Sequence, residues 1–542
     1  MENPDIRALS RRSGLPATLM TLLGILWLGV FPLACDFTYA HITEAKWWAM
    51  WIGVGLTVPA AFFALGWRRA AEGCRPRLPA LILAAALLGW MTVTAFEGSW
   101  ADTLNARGQL VTIWGDLRFE GLLAQLGYTL IFLCMSLSPL RLRRVGAAAA
   151  VALTLFTLLA VWQYTDTNPL GLYPEGYGIL HNYEFQSTIG NIDMVAGYLA
   201  LVVPLALLPW LLRGGRGAGL AAAAGMLGVG LCLFNEVQAG YFSLLALGAV
   251  LLYFFLTRRE TRPRCLLLLG GFAALLLLRR CVLLPWLDGA EQVKLRLDPG
   301  PAELALAGLA AAGLAAFLLL RRFSHPATPE GGMKPRTALL LLASLAVLAL
   351  VLLAVLPVPE GAGGLWEIHE TLLGRGQDSF GSERLGAWRI AWDMALDHPI
   401  VGIGPDTFNV AAEGYMADAW MVLEQSFDTP HNIFLGYLYG SGFPGLILYL
   451  ALLGAVLHRC RRGGEPGAVL GAALLCYLAQ GCFTFSICLV SPMAWAVMGM
   501  AAALPDLRGE TSPADSSPAD SSPADSSPAK EETPDAPLSA EA

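Results

Sequence analysis

Two residues of this chain have the right type and setting for phosphate-centred chemistry. Arg384 lies in Ser382-Glu383-Arg384-Leu385-Gly386-Ala387-Trp388, and His431 opens the apolar run His431-Asn432-Ile433-Phe434-Leu435. Between them runs Gly402-Ile403-Gly404-Pro405-Asp406-Thr407-Phe408. Arginine stays charged and presents forked donors to phosphate oxygens. Histidine, with an unperturbed pKa of ~6.5, accepts a proton near neutrality. The pair suits chemistry on a lipid-linked anion at the membrane surface, with the arginine holding the anion and the histidine taking a proton. Glu383, Asp406, Asp428 and Glu424 are acidic alternatives for the base, or for orienting His431. Against this stand two ordinary readings: a histidine that merely caps a helix mouth, and an arginine on a solvated helix face.

The elements that must hold these residues are membrane helices. The chain has 542 residues, 56% of them hydrophobic and 14% charged, with a mean hydropathy of +0.57. A bilayer core of ~30 Å takes about 20 apolar residues per helical span. Such runs fall at about 15–34, 47–67, 78–96, 119–138, 145–162, 193–212, 218–234, 241–256, 265–285, 302–320, 337–356, 431–457, 467–486 and 488–505. The expected fold is all-α: a polytopic transmembrane bundle of about 12–14 spans over residues 1–505. The first run follows Arg7, Arg11 and Arg12 without a convincing small-residue cleavage site, so it reads as an uncleaved span. Residues 506–542 repeat Ser-Pro-Ala-Asp-Ser and cannot bury a core, so a disordered cytoplasmic tail is expected. The ten cysteines show neither a disulfide framework nor zinc spacing and read as small packing residues.

Arginines set the expected orientation. Arg68-Arg69, Arg141 to Arg144, Arg213 to Arg216, Arg258 to Arg264, Arg321-Arg322 and Arg459 to Arg462 fall in alternate loops, which places these loops and both termini in the cytoplasm. Arg279-Arg280 conflicts with this pattern, and two readings stand: snorkelling to the interface, or anion binding. A re-entrant ninth and tenth segment would lower the count to twelve.

The long loop at 357–430 then faces outward. Leu385, Trp388, Trp392 and Leu396 recur at helical spacing, and Asp397-His398-Pro399 ends the run. This predicts an amphipathic interfacial helix with tryptophans at headgroup level. Gly402, Gly404 and Pro405 shape a turn. Two other outer loops are substantial. The one at 97–118 leads into Arg118-Phe119-Glu120-Gly121, where Glu120 or lipid headgroups would satisfy Arg118. The one at 163–192 ends in Thr188-Ile189-Gly190-Asn191-Ile192-Asp193. His41, His181, His369 and His398 lack ligand spacing and read as surface residues. Arg389 reads as a headgroup contact. No Walker motif, dinucleotide fingerprint or paired metal-binding carboxylates are found, so nothing supports ATP-driven transport or nucleic-acid binding.

The succession of Gly190-Asn191 opening a span, a large outer loop with Arg384, Trp388 and Trp392, then Gly402-Ile403-Gly404-Pro405, then His431-Asn432 opening a span, resembles the O-antigen ligase superfamily. The resemblance covers about 186–500, with Arg118-Phe119-Glu120-Gly121 similar to the N-terminal half of many members. It implies transfer of a glycan from a polyisoprenyl-pyrophosphate carrier to an acceptor hydroxyl outside the cytoplasmic membrane, by inverting displacement, with no metal and no cofactor. It also implies that His431 and Arg384 are catalytic. Arg118, Gln238, Arg389 and Asn432 are the candidates for substrate binding. One departure is plain: in Asn235-Glu236-Val237-Gln238-Ala239-Gly240, Gln238 stands where the family often has arginine. Arg118, Arg279 and Arg280 are candidates for the missing charge. The acceptor is a glycan, lipid or protein, so ligase and polymerase are not separated. The rival from another class is a transporter or flippase of lipid-linked glycans, which would place its polar groups at the bilayer midplane.

Overall fold

The computed structural model describes residues 16–73, 77–137, 140–164, 168–173, 185–283, 301–323, 332–418 and 428–505. Glu424, His181, Cys74 and the tail from 506 lie outside these residues. Apart from the two-residue strands β1 (Phe185–Gln186) and β2 (Gly190–Asn191), which pair antiparallel, the regular structure is helical. In order the helices are α1 (Pro16–Leu33), α2 (Ile42–Gly73), α3 (Leu78–Glu97), the short α4 (Val111–Trp114), α5 (Leu122–Ser136), α6 (Leu142–Gln163), α7 (Ile192–Arg213), α8 (Arg216–Asn235), α9 (Gln238–Thr257) and α10 (Arg262–Leu278). They continue with α11 (Pro301–Phe323), α12 (Pro335–Val355), α13 (Gly364–Leu372), α14 (Arg384–Asp397), α15 (Phe408–Asp418), α16 (Ile433–Arg462), α17 (Gly464–Gly481) and α18 (Ser491–Ala502).

Ten helices among the described residues are long and apolar enough to cross a bilayer, which makes the chain a multi-pass membrane protein. Each of the fourteen apolar runs coincides with a helix, but α5, α10, α17 and α18 are too short or too polar to span alone. At ~1.5 Å per residue, the 15 residues of α5 reach only ~22 Å. Two of them are largely covered by protein instead: every residue of α18 is buried, and most of α5. The span of α7 is 89% buried and that of α12 only 6%, so α7 is the axis of the bundle and α12 faces lipid. Around α7 pack α8, α17, α9 and α6, while α18 packs on α5 and α16 on α3. The cysteines named among the described residues are all free, and most are buried.

The two ends of the bundle differ in chemistry. At one, the basic end, Arg77 donates to the carbonyls of Ser136 and Leu137, Arg264 to Leu211 at 2.8 Å, and Arg459 to Leu504. These contacts bring together loops that the arginine pattern had grouped. The other end carries Arg118, Arg384 and His431, and is called the site end below.

Helix α16 is the hinge of the site end. Gly442, at φ 66°, ψ −177°, breaks its helical path. Into that break fits loop 398–404: Ile403 donates to Tyr439 O at 2.9 Å, Gly404 to Gly440 O at 3.1 Å, and Phe443 to Pro399 O at 2.9 Å. At Gly402, φ 78°, a Cβ would come within 2.7 Å of the backbone of Gly440, Ser441 and Gly442. The expected turn is thus a backbone-to-backbone dock that requires glycine.

The predicted loop helix forms as α14. Gly386, Ala387, Ile390, Ala391, Met394 and Ala395 are buried, whereas Trp392 and Leu396 are exposed. Small residues let α14 approach α16 closely, which leaves Trp392 and Leu396 of the apolar stripe outside that close approach. Trp388 turns to Phe483 and Trp392 to Phe443.

Candidate functional site

The site is assembled by four stretches that cannot take regular form. Gly115 (φ 87°) and Phe119 (φ 57°) fold the segment before α5 into a tight turn that presents Arg118. Ser382 and Glu383, both at positive φ, turn the chain so that Arg384 begins α14. His431 (φ 48°) makes the last turn before α16, two residues ahead of the membrane span. Non-glycine residues in this region carry strain of order 1–3 kcal/mol, and such strain clusters at functional sites. Beyond Gly481, residues 482–490 form the fourth stretch, with Phe485.

Arg118 and His431 meet on Phe485. The guanidinium of Arg118 lies 3.6 Å from the ring centroid, and the His431 ring stands edge-on to Phe485 at 4.9 Å. Arg118 Nε donates to Asp428 Oδ2 at 2.6 Å and its Nη2 to Oδ1, a two-pronged carboxylate clamp. Glu120, expected as its partner, instead accepts from the Tyr128 hydroxyl, and Glu120 Oε2 is buried without a hydrogen bond. Charge screening by Asp428 is local: it neutralises Arg118 while leaving the stack on Phe485 intact.

Arg384 is 12% exposed. Its Nη1 donates to Gly381 O at 3.0 Å, and its Nη2 lies 3.7 Å from Asp193 Oδ2. That separation is an electrostatic contact rather than a hydrogen bond. The Nε is buried with no hydrogen-bond partner. Asp193 sits in the first turn of α7, where Asn191 Oδ1 accepts from Asp193 N at 2.9 Å and caps the helix.

His431 is held by Thr429. Its backbone N donates to Thr429 Oγ1 at 3.1 Å, and its Nδ1 lies 3.1 Å from Thr429 O. A carbonyl can only accept, so Nδ1 carries the proton and Nε2 is the basic nitrogen. Burial lowers the pKa of the ring to about 4, and the nearby Arg118 and Arg384 guanidiniums add to this. The imidazole is therefore neutral at pH 7.

Beside Arg118 and Phe485 lies a small cavity of about 60 Å³. Arg118, Glu120, Gln125, Asp406, Asn432 and Ser486 contribute its polar lining. It has room for water rather than for a sugar. Asp406, at φ 59°, accepts from the backbone N–H groups of Asp116 (2.8 Å) and Glu120 (3.1 Å), which ties the loop after Gly404 to the Arg118 turn. Burial pushes its carboxyl up to about 7, against the two N–H donors.

The other sequence candidates are placed as follows. Asn432 Oδ1 caps α16, accepting from Phe434 N and Leu435 N, and its Nδ2 donates to Cys482 O. Arg389 is half-exposed and bound to Asp378 and to Gly376 O within its own loop. Gln238 is exposed at the start of α9. One turn on, Phe242 stacks at 3.7 Å on Phe483, which also meets Trp388. Arg279 pairs with Glu236, so it is Arg279 that carries charge to the Asn235–Gln238 turn, while Arg280 pairs with Glu303 at 2.9 Å. His398 bonds Ser99 at 2.7 Å. His369, read as a surface residue, is buried against Leu353 O at 2.6 Å. Among the described residues no group of three His, Cys, Asp or Glu side chains is arranged to hold a metal ion.

Two residues at the site had no role in the sequence reading: Asp193 and Phe485. Asp193 follows the quoted Gly190-Asn191 pair, and its position at a span mouth was its one visible signal. Phe485 has no sequence signal, since it is one aromatic residue among many. Asp428 was visible only as an acid near His431.

Residues 302–450 match the family model described as O-Antigen ligase. No curated protein matches the chain. The matched stretch runs from α11 through Arg384 and His431 into α16. Arg118, Asp193 and Phe485 come to the site from outside it.

Proposed function

We propose, for a chain whose residues 302–450 match the family model described as O-Antigen ligase, that it transfers a glycan from a polyisoprenyl-pyrophosphate carrier to an acceptor hydroxyl on the outer face of the cell membrane. Glycan transfer in general is what the family match supports. The finer reading is carried by one observation: two largely buried arginines, each facing a carboxylate, flank a neutral histidine at one mouth of the bundle. The arginines concentrated at the opposite end favour a cytoplasmic basic end, with the site facing outward.

In this mechanism Arg384 holds the donor pyrophosphate. Its buried Nε lacks a hydrogen-bond partner, and its Asp193 contact is too long to be strong, so donors remain for phosphate oxygens. Arg118 adds a second charge, whose Asp428 clamp an incoming phosphate would replace in kind. The acceptor oxygen attacks the anomeric carbon, the carbon–oxygen bond to pyrophosphate breaks, and the electron pair leaves with the lipid pyrophosphate. His431 Nε2 takes the hydroxyl proton. Guanidiniums in a partly dry setting stabilise the departing charge more strongly than they would in water. The acceptor is a glycan, lipid or protein hydroxyl.

The test is transfer in reconstituted membranes with polyprenyl-pyrophosphate-linked oligosaccharide and acceptor extract from the host, comparing wild type with His431→Ala and Arg384→Ala. Transfer that collapses in both variants at equal folded yield supports the reading. Wild type that leaves the donor intact with every acceptor fraction overturns it.

A further inference from the structure

A second cavity lies away from the site, in the basic half of the bundle. It has a volume of about 480 Å³, against about 60 Å³ at the site. Its sides are α6 from Leu142 to Thr154 and α8 from Gly217 to Ala224, backed by α7 and α17. The two sides meet toward the site end. A Cβ at Gly228 would come within 3.2 Å of Leu153 Cδ1 and 2.8 Å of Val203 Cγ2. Toward the basic end they splay apart, and a Cβ at Gly146 or Gly217 would meet nothing within 4 Å.

Facing small residues normally draw membrane helices together. Ala147 and Ala150 on α6, and Ala218 and Ala221 on α8, instead line an open wedge. The wedge is apolar inside, where the Thr154 hydroxyl is already given to Ala150 O at 2.8 Å. Charge stands at its rim. Arg143 is exposed there, and Arg213 pairs with Glu465 at 2.7 Å. Two guanidiniums and one carboxylate leave a net positive rim, with Arg144 adjacent. From Leu142 to Thr154 the wedge runs ~18 Å along α6, close to the depth of one leaflet of a ~30 Å core.

We infer that this wedge is a binding site for one anionic glycerophospholipid of the leaflet that meets the basic end, with an acyl chain between α6 and α8 and the phosphate at Arg143 and Arg213. The apolar depth selects a lipid over free phosphate, and the rim charge selects an anionic headgroup over a zwitterionic one. By the orientation proposed above, this is the cytoplasmic leaflet, whose surface is negative.

Native mass spectrometry of the full chain, released from mild detergent with phosphatidylglycerol or phosphatidylcholine of identical acyl chains, tests it. The wild type should retain one phosphatidylglycerol, with a preference of about fivefold or more over phosphatidylcholine, as expected for about one net arginine. Arg143→Gln should bring that preference close to unity while lipid is still retained. Ala221→Phe, which fills the wedge, should lose both lipids, with elution volume and thermal midpoint reporting the fold. Equal retention of the two lipids by wild type, no retained lipid, or a wild-type pattern in both folded variants would each overturn the inference.

Discussion

Arginines at the two ends of the molecule are satisfied in different ways. At the basic end, Arg77, Arg264 and Arg459 donate to main-chain carbonyls of neighbouring helices. At the site end, Arg118 is clamped by Asp428, and Arg384 faces Asp193 while donating to Gly381 O of its own turn. A carbonyl that loses its donor on burial is left unsatisfied, so those arginines are fastened into the fold. A carboxylate is an anion of nearly the right shape to hold a phosphate's place. An arginine resting on one can exchange it for phosphate without ever being bare. Arg213 with Glu465 shows the limit of the contrast: it is an ion pair at the basic end, but more than half of the arginine is exposed. Such a pair contributes little to stability.

The largest effect should separate the two kinds of arginine by what they damage. His431→Ala should lower transfer per folded molecule by ~10²–10⁴, the range for loss of a general base. Arg384→Ala should fall alongside it, and Arg384→Lys should restore little, because one ammonium does not reproduce a fork. At the basic end, Arg264→Ala should leave turnover per folded molecule unchanged. It should instead cost about 1–3 kcal/mol through the orphaned Leu211 carbonyl, read as a lower thermal midpoint in detergent. Turnover that drops equally in Arg264→Ala and Arg384→Ala would break the comparison.

A finer probe is Asp428→Asn. If the carboxylate holds the phosphate's place, removing its charge should lower the donor KM, by up to about tenfold for one weakened charge-assisted clamp. A purely structural Asp428 predicts the opposite: an unchanged or higher KM and a lower kcat, as the Thr429–His431 turn loses its anchor. The ratio of the two effects sharpens the comparison, since Asp428 is three residues from His431.

The sequence was most legible where physics is local and repetitive. Apolar runs marked fourteen of the helices, because a membrane core demands about 20 apolar residues in a row, whereas the short α4, α13 and α15 left no such signal. The loop motif around Gly402 was visible as a turn, but not as a dock onto Gly440–Gly442, because its partner lies some 40 residues away in a helix broken by Gly442. Helix α14 was legible from the spacing of its tryptophans, but its close approach to α16 was not, because that contact is made by Gly386, Ala387 and Ala391, small residues that leave no periodic signal. Arg384 and His431 stood out by type and place. Their neighbours did not: Arg118, Asp193 and Phe485 arrive from three other parts of the chain, and only folding makes them neighbours.

His431 yields a pH test of the same contrast. Its folded pKa of about 4 lies below the unperturbed ~6.5, so the neutral ring is the favoured folded form. The stability it contributes is complete above ~6.5 and is lost as pH falls through about 4. Turnover should accordingly show no histidine-type decline between pH 6 and 7. An acid limb near 4 is expected, rather than one near ~6.5. A limb at ~6.5 would mean that the ring is solvated and that Arg118 and Arg384 do not act on it.

The smallest effect concerns Asp406, an acid held by neutral backbone and thus the mirror image of the basic-end arginines. Its carboxyl is raised to about 7, above the ordinary ~3.9. A raised folded pKa contributes stability that is full below the unfolded value and declines as pH rises through about 7. The thermal midpoint of wild type should therefore slip slightly between pH 6 and 8. Asp406→Asn should flatten that slope, because the amide oxygen still accepts from Asp116 N and Glu120 N without ionising. An unchanged slope in Asp406→Asn would assign the pH sensitivity elsewhere. Loss of transfer in this variant, at unaltered stability, would move Asp406 from the group that fastens the fold to the group that meets the substrate.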